Sequence, residues 1–174
     1  MCFKNLCKYL FGCIRKKSVE NDSTEKELEY RRLEDVKYEE TVPYIPTIHK
    51  GKVIKVYDGD TITIASHLYI DDLESKQYYR FSVRIKGIDT PELKTKNETE
   101  KKRATIARDA LSSKISNKIV ELKNVELEKY GRILADVYID GLNIGEWMLQ
   151  EKHAVAYDGK TKNIPKEWVV AETK

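Results

Sequence analysis

The stretch RIKGIDTPE, residues 84–92, sets Arg84, Asp89, Thr90 and Glu92 within nine positions, with Pro91 in the middle of the acidic part. Carboxylates are hard oxygen ligands for divalent cations, and a guanidinium beside them can grip a phosphate through two parallel N–H···O bonds. Such a grouping suits metal-assisted attack on a phosphate. DTPE taken alone is better explained as an ordinary acidic turn. Pro91 fixes its own φ and drives Thr90 out of the helical region, so the chain bends stiffly there. A stiff bend can aim Asp89, the Thr90 carbonyl and Glu92 at one point. Upstream, VIKVYDGDT (53–61) places Asp60 beside Asp58-Gly59. The Asp-Gly pair needs only turn geometry to account for it, whereas an acid opening a strand runs against β propensity. Asp60 and Asp89 fall at the edge of the same expected sheet and can converge. Two carboxylates and a carbonyl make an incomplete all-oxygen site, whose open positions would take water and a substrate phosphate. Arg84, and Arg132 at the start of a later strand, are unremarkable singly. Together beside such an ion they would clamp a phosphate as negative charge builds. Glu92 would then hold and deprotonate the attacking water.

These side chains need a frame. KVIKVYDGDTITIA reads as two β-rich runs joined at Asp58-Gly59, a strong hairpin signal. In YYRFSVRIKGI, Phe81, Val83 and Ile85 alternate with Ser82, Arg84 and Lys86, the pattern of a half-buried third strand. ETEKKRATIARDALSSKIS sets Ala104, Ala107, Leu111 and Ile115 at helical spacing. KIVELKNVELE and RILADVYID, either side of Tyr130-Gly131, read as strands four and five. Asn143 caps a short helix through Trp147 and Leu149. Three strands, a helix, two strands and a helix is the order of a five-stranded barrel of the OB type carrying helices. Such barrels host many functions, so the fold alone assigns none.

The bulk numbers agree with one domain plus tails in 174 residues. No run of 18 apolar residues occurs, which excludes a spanning helix. Cys2, Cys7 and Cys13 are the only cysteines, so no disulfide framework holds the body together. Charge is uneven. Residues 1–17 carry five bases and no acid, and 18–40 carry nine acids against four bases. Laid on a helix, residues 1–17 gather their apolar side chains and the three cysteines on one arc. Lys4, Lys8, Arg15 and Lys16 fall on the other. This basic amphipathic segment suits a membrane interface, with Cys2, Cys7 and Cys13 as candidate S-palmitoylation sites. A docking helix and a cleaved targeting peptide are the alternatives. The expected organisation is therefore a candidate anchor at 1–17, an acidic linker at 18–47 with a solvated helix between Thr24 and Glu40, and a catalytic domain at 48–174.

VIKVYDGDT, RIKGIDTPE and KYGR, in that order and with a helix between the last two, closely resemble the staphylococcal nuclease (thermonuclease) family over roughly residues 50–160. The resemblance implies one calcium ion held by Asp60, Asp89 and the Thr90 carbonyl. It implies Arg84, Glu92 and Arg132 as the catalytic trio, and Lys129, Tyr130 and Tyr157 as nucleotide contacts. The implied reaction is calcium-dependent hydrolysis of DNA and RNA, leaving 3′-phosphates, with low sequence specificity. A monomer is expected, intracellular and tethered to a membrane through its N-terminus. Departures are few: Gly159 stands where the bacterial prototype has a second tyrosine, and only a turn or two of helix from Pro165, packed by Trp168 and Val169, replaces its long C-terminal helix. HLYIDDLESKQ (67–77) is an insert without an assigned role. The histidines at 49, 67 and 153 show no ligand spacing, and Tyr78 and Tyr79 read as sheet packing. A catalytically weak nucleic-acid-binding module that keeps the barrel, or a membrane-tethered interaction module on the same fold, is the alternative function; all six matching catalytic and metal positions argue against the binding module.

Overall fold

A computed structural model of the chain describes residues 33–70, 73–128, 130–160 and 164–170. The amphipathic segment with Cys2, Cys7 and Cys13 lies outside the described residues, as does Lys129. Of the acidic linker, Tyr38–Glu40 form one turn of 3-10 helix and Thr41 is extended. The solvated helix expected up to Glu40 is thus absent at its C-terminal end, where the Glu40 carboxylate accepts from the Lys37 N–H at 3.0 Å and closes a short turn instead.

Alternating side chains build the barrel from five strands: β1 (Lys50–Val56), β2 (Thr61–Ser66), β5 (Tyr79–Ile85), β7 (Ile119–Leu127) and β8 (Ile133–Ile139). In β8 every second residue, Ile133, Ala135, Val137 and Ile139, is buried, as the period-2 pleat requires. Antiparallel pairing runs β5-β2-β1-β7-β8, and β5 then pairs with β8 in parallel, closing the sheet on itself. Closure removes the barrel's edges. Short strands decorate it: β3 (Tyr69–Ile70) pairs with β4 (Leu73–Glu74), β6 (Ile88–Asp89) with β10 (Val155–Ala156), and β9 (Leu142–Asn143) with β8. Within the 67–77 insert, β3 and β4 thus pair with each other rather than with the barrel.

Helix α1 (Glu98–Ile115) starts where the Asn97 side chain accepts from the N–H groups of Thr99 and Glu100, satisfying two donors that the helix cannot. Its buried face, Ala104, Ala107, Leu111 and Ile115, is the one the spacing predicts. Asn143 likewise caps α2 (Ile144–Gln150), which buries Ile144 and Met148. The last helix, α3 (Lys166–Val169), is four residues long and sinks Trp168 to 3% exposure. Val169, expected to pack, is instead exposed and uses its carbonyl to accept from Asn97 Nδ2 at 2.9 Å. The core joins both barrel faces of α1 and α2 through Ile62, Ile64, Val83, Ile85, Leu111 and Met148.

Candidate active site

Register places the first charged pair. Thr61 of β2 lies opposite Arg84 of β5, so Asp60, one residue before β2, meets the Arg84 side chain. Nη1 of Arg84 donates to Asp60 Oδ2 at 2.7 Å, and Nη2 donates to Asp89 Oδ1 at 3.2 Å. Thr61 Oγ1 donates to the other oxygen of Asp60 at 2.9 Å. The two carboxylates do converge, but not from one sheet. Asp89 sits on β6, whose partner is β10 rather than a barrel strand, and Gly87, with φ +80, makes the tight turn that brings it round.

Both acids are nearly dry, at 3% and 5% exposure. Burial pushes the Asp60 carboxyl up from 3.8 to about 7, against the pull of Arg84. Burial also works against the Arg84 charge, yet Asp60, Asp89 and Glu128 outweigh it and hold the guanidinium above its ordinary value. Two buried carboxylates share one guanidinium here, so the cluster has room electrostatically for further positive charge. Thr90 is buried beside them.

The Asp58-Gly59 turn has a second duty that its sequence hides. Gly59 is not among the glycines with positive φ. A Cβ there would lie 2.8 Å from Thr90 Cγ2 and 3.0 Å from Ala107 Cβ. The missing side chain lets the β1–β2 turn press against the DTPE bend and α1 at once.

Glu92 is exposed at the mouth of a cleft of about 700 Å³, lined also by Arg84, Asp89, Tyr130, Arg132 and Tyr157. Arg132 reaches the cleft from the β7–β8 hairpin, where Gly131 takes φ +77 and the Glu128 N–H donates to the Arg132 carbonyl at 2.8 Å. Tyr130 stands 73% exposed on that hairpin. Tyr157 follows β10, its N–H bonded to the Gly87 carbonyl at 2.9 Å and its ring 5.7 Å from the Arg84 guanidinium. Arg84, Glu92, Arg132, Asp89, Tyr130 and Tyr157 thus share one cleft, and Asp60 adjoins it through Arg84.

Two positioning side chains escaped the motifs. Glu100, buried in the first turn of α1, accepts from the Glu92 N–H at 3.2 Å and ties the DTPE bend to the helix. Glu128 accepts from Arg132 Nε at 2.6 Å. Acids in a charged helix entrance or four residues before an arginine look like solvated charges in a sequence; the burial of Glu100 and the partners of both set them apart.

Among the described residues no three or more His, Cys, Asp or Glu side chains group as a metal site. The Asp60 and Asp89 carboxylates that Arg84 bridges are hard oxygens, which fit calcium or magnesium chemistry rather than zinc.

Similarity to known proteins agrees with this geometry. Residues 82–172 match the model of the staphylococcal nuclease homologue family. An uncharacterized endonuclease of Escherichia coli is 30% identical over 109 residues, covering 62% of this chain and 61% of the relative. The SPbeta prophage-derived endonuclease YokF of Bacillus subtilis is 33% identical over 121 residues, 63% of this chain and 36% of the relative. A staphylococcal-like nuclease of Arabidopsis thaliana, CAN1, is 31% identical over 86 residues, 48% of this chain and 25% of the relative. The chain therefore spans about six tenths of the E. coli relative's length and less of the other two. With its closed five-stranded barrel, and with a family match across more than half of its length, the chain belongs to the staphylococcal nuclease homologues.

Proposed function

We propose that the protein hydrolyses phosphodiester bonds of DNA and RNA as an endonuclease, with calcium as its metal. The observation that carries this reading is the single cleft holding Arg84, Asp89, Glu92 and Arg132. Asp60, Asp89 and the Thr90 carbonyl would hold the ion, and the convergence of the two carboxylates on the one Arg84 guanidinium supports that reading. A bound calcium ion would supply charge neutralisation at the substrate phosphate. Glu92, tied at its N–H by Glu100, takes the proton from the attacking water as that water's oxygen bonds phosphorus and the P–O bond to the 5′-oxygen breaks, the 5′-oxygen leaving with a proton from solvent. Arg84 and Arg132 donate N–H groups to the phosphate oxygens as negative charge builds at phosphorus. Glu128 keeps the Arg132 fork oriented for that contact. Tyr157 and the exposed Tyr130 offer ring faces to a neighbouring base. Contacts of this kind read phosphate and stacked ring, so cleavage has low sequence specificity.

The test is cleavage of plasmid and of single-stranded DNA and RNA by the full chain, with calcium, with magnesium and with chelator. Cleavage that requires calcium, and that falls by about 10²–10⁴ in Glu92→Gln, is the expected result. A folded chain that holds nucleic acid intact in every ion would replace the enzyme by a binding module.

A further inference from the structure

The distal end of the barrel carries a second concave surface that the nuclease site does not use. It is a cleft of about 530 Å³ lined by His49, Lys50, Lys52, His67, Tyr69 and Tyr78. It lies at the other end of the β2–β5 pair. Asp60 and Arg84 lie at the Thr61↔Arg84 end, whereas this cleft opens beyond Ser66↔Tyr79, about 17 Å along the strands.

Register explains its composition. Lys52 pairs with Ala65, and Ala65 with Arg80. Residues directly opposite point the same way, so two exposed cations flank a small residue on the outer face. Lys50 on β1, and His67 and Tyr78 just beyond the ends of β2 and β5, line the same cleft as Lys52 and Ala65. The rings of His67 and Tyr78 sit 4.2 Å apart, and those of His49 and Tyr69 5.5 Å apart.

The 67–77 insert holds these rings in place. His67 Nδ1 donates to the Ser75 carbonyl at 2.5 Å, Ser75 Oγ accepts from the Leu68 N–H at 2.9 Å and donates to the Gln77 carbonyl at 2.9 Å. The Tyr69 N–H bonds the Thr47 carbonyl at 3.3 Å. His67 and Tyr69 are half-buried. Tyr78 is 74% exposed, with its ring against that of His67. Lys50 pairs with Glu121 at 2.9 Å, and Lys52 and Arg80 add positive charge on the same face.

We infer that this face is a stacking site for unpaired bases of single-stranded nucleic acid, with Tyr78 and His67 as the platform and Lys50, Lys52 and Arg80 as phosphate contacts. Aromatic faces accept any base, and flanking cations follow the backbone. The cleft volume suits a ligand of nucleotide size or larger. A face of this charge repels a basic partner, and the exposed cations disfavour a purely apolar one. One OB barrel covers about 4–16 nucleotides, so a strand of that length is enough to reach both ends of the β2–β5 pair. Use of the face by the substrate strand rests on the nuclease reading; the binding itself does not.

The experiment is fluorescence anisotropy of labelled 16-nucleotide DNA with the full chain in chelator, where nothing is cut. The same measurement is made on a 16-base-pair duplex. Tyr78→Ala should weaken single-strand binding about tenfold while leaving duplex binding and the melting temperature unchanged. Lys52→Ala should flatten the salt dependence by about one phosphate contact. Unchanged single-strand binding in Tyr78→Ala would overturn the proposal. Equal losses for single strand and duplex would also overturn it, leaving charge attraction alone. If the unaltered chain never cleaves but Tyr78→Ala still loses the single strand, the nuclease reading fails and this site stands.

Discussion

Asp60 is a carboxylate that the fold makes reluctant to ionise. Its carboxyl is raised from 3.8 to about 7, chiefly by burial. A raised acid stabilises the fold fully below its unfolded value, and that contribution is lost as pH climbs through the folded value. Without metal, the melting temperature should therefore fall relative to that of Asp60→Asn as pH rises from about 4 to about 8. A constant difference across that range would mean that Asp60 titrates as an ordinary surface acid. The motifs announced this residue by type and order. They did not announce its burial, nor the double grip of Arg84 on Asp60 and Asp89. Glu100 and Glu128 were illegible for a related reason. A carboxylate's role depends on which donor faces it, and neither Glu92 nor Arg132 is close enough in sequence pattern to name its partner.

At the scale of elements, the DTPE bend is clamped from two sides. From one side comes the β1–β2 turn, where only glycine fits. Gly59→Ala should push Thr90 away, cost about 1–3 kcal/mol, and weaken calcium binding measured by titration calorimetry; unchanged stability and affinity would mean that the turn yields freely. From the other side comes α3, whose Trp168 adjoins Pro91, Arg103 and Ile106, while Asn97 both caps α1 and bonds Val169. Trp168→Ala should cost about 3 kcal/mol in denaturant unfolding and slow cleavage through the loosened bend. Full activity in that variant would show that α3 only covers the surface. The Asp58-Gly59 pair was legible as a turn, and the alternation of β8 and the Ala104–Ile115 stripe were legible as buried faces. The reason for Gly59 was not, because close approach of a turn, a bend and a helix is a property of three segments at once.

At the scale of the molecule, the described residues contain no helix long and apolar enough to cross a membrane. We propose that attachment, if the chain is tethered, falls to residues 1–17 through their basic amphipathic face and acylated cysteines. Fused to a reporter, that segment should move to membranes, and changing Cys2, Cys7 and Cys13 to serine should release it. A reporter that stays in the soluble fraction with its cysteines intact would end the idea. The barrel itself is sealed by the parallel β5–β8 contact, which joins residues about fifty positions apart in sequence; it also sets the Arg84 strand directly beside the strand that follows Arg132.

The order of the three motifs, the strand and helix periods and the hard-oxygen chemistry were all present in the sequence. They are local, carried by residue type and short spacing. Tertiary structure alone decided that Asp89 comes from a separate two-stranded ladder, that Arg84 bridges both acids, and that the 67–77 insert lifts a ring beside a row of cations. Those facts depend on register across strands and on what is excluded from water, and no spacing along one chain encodes either.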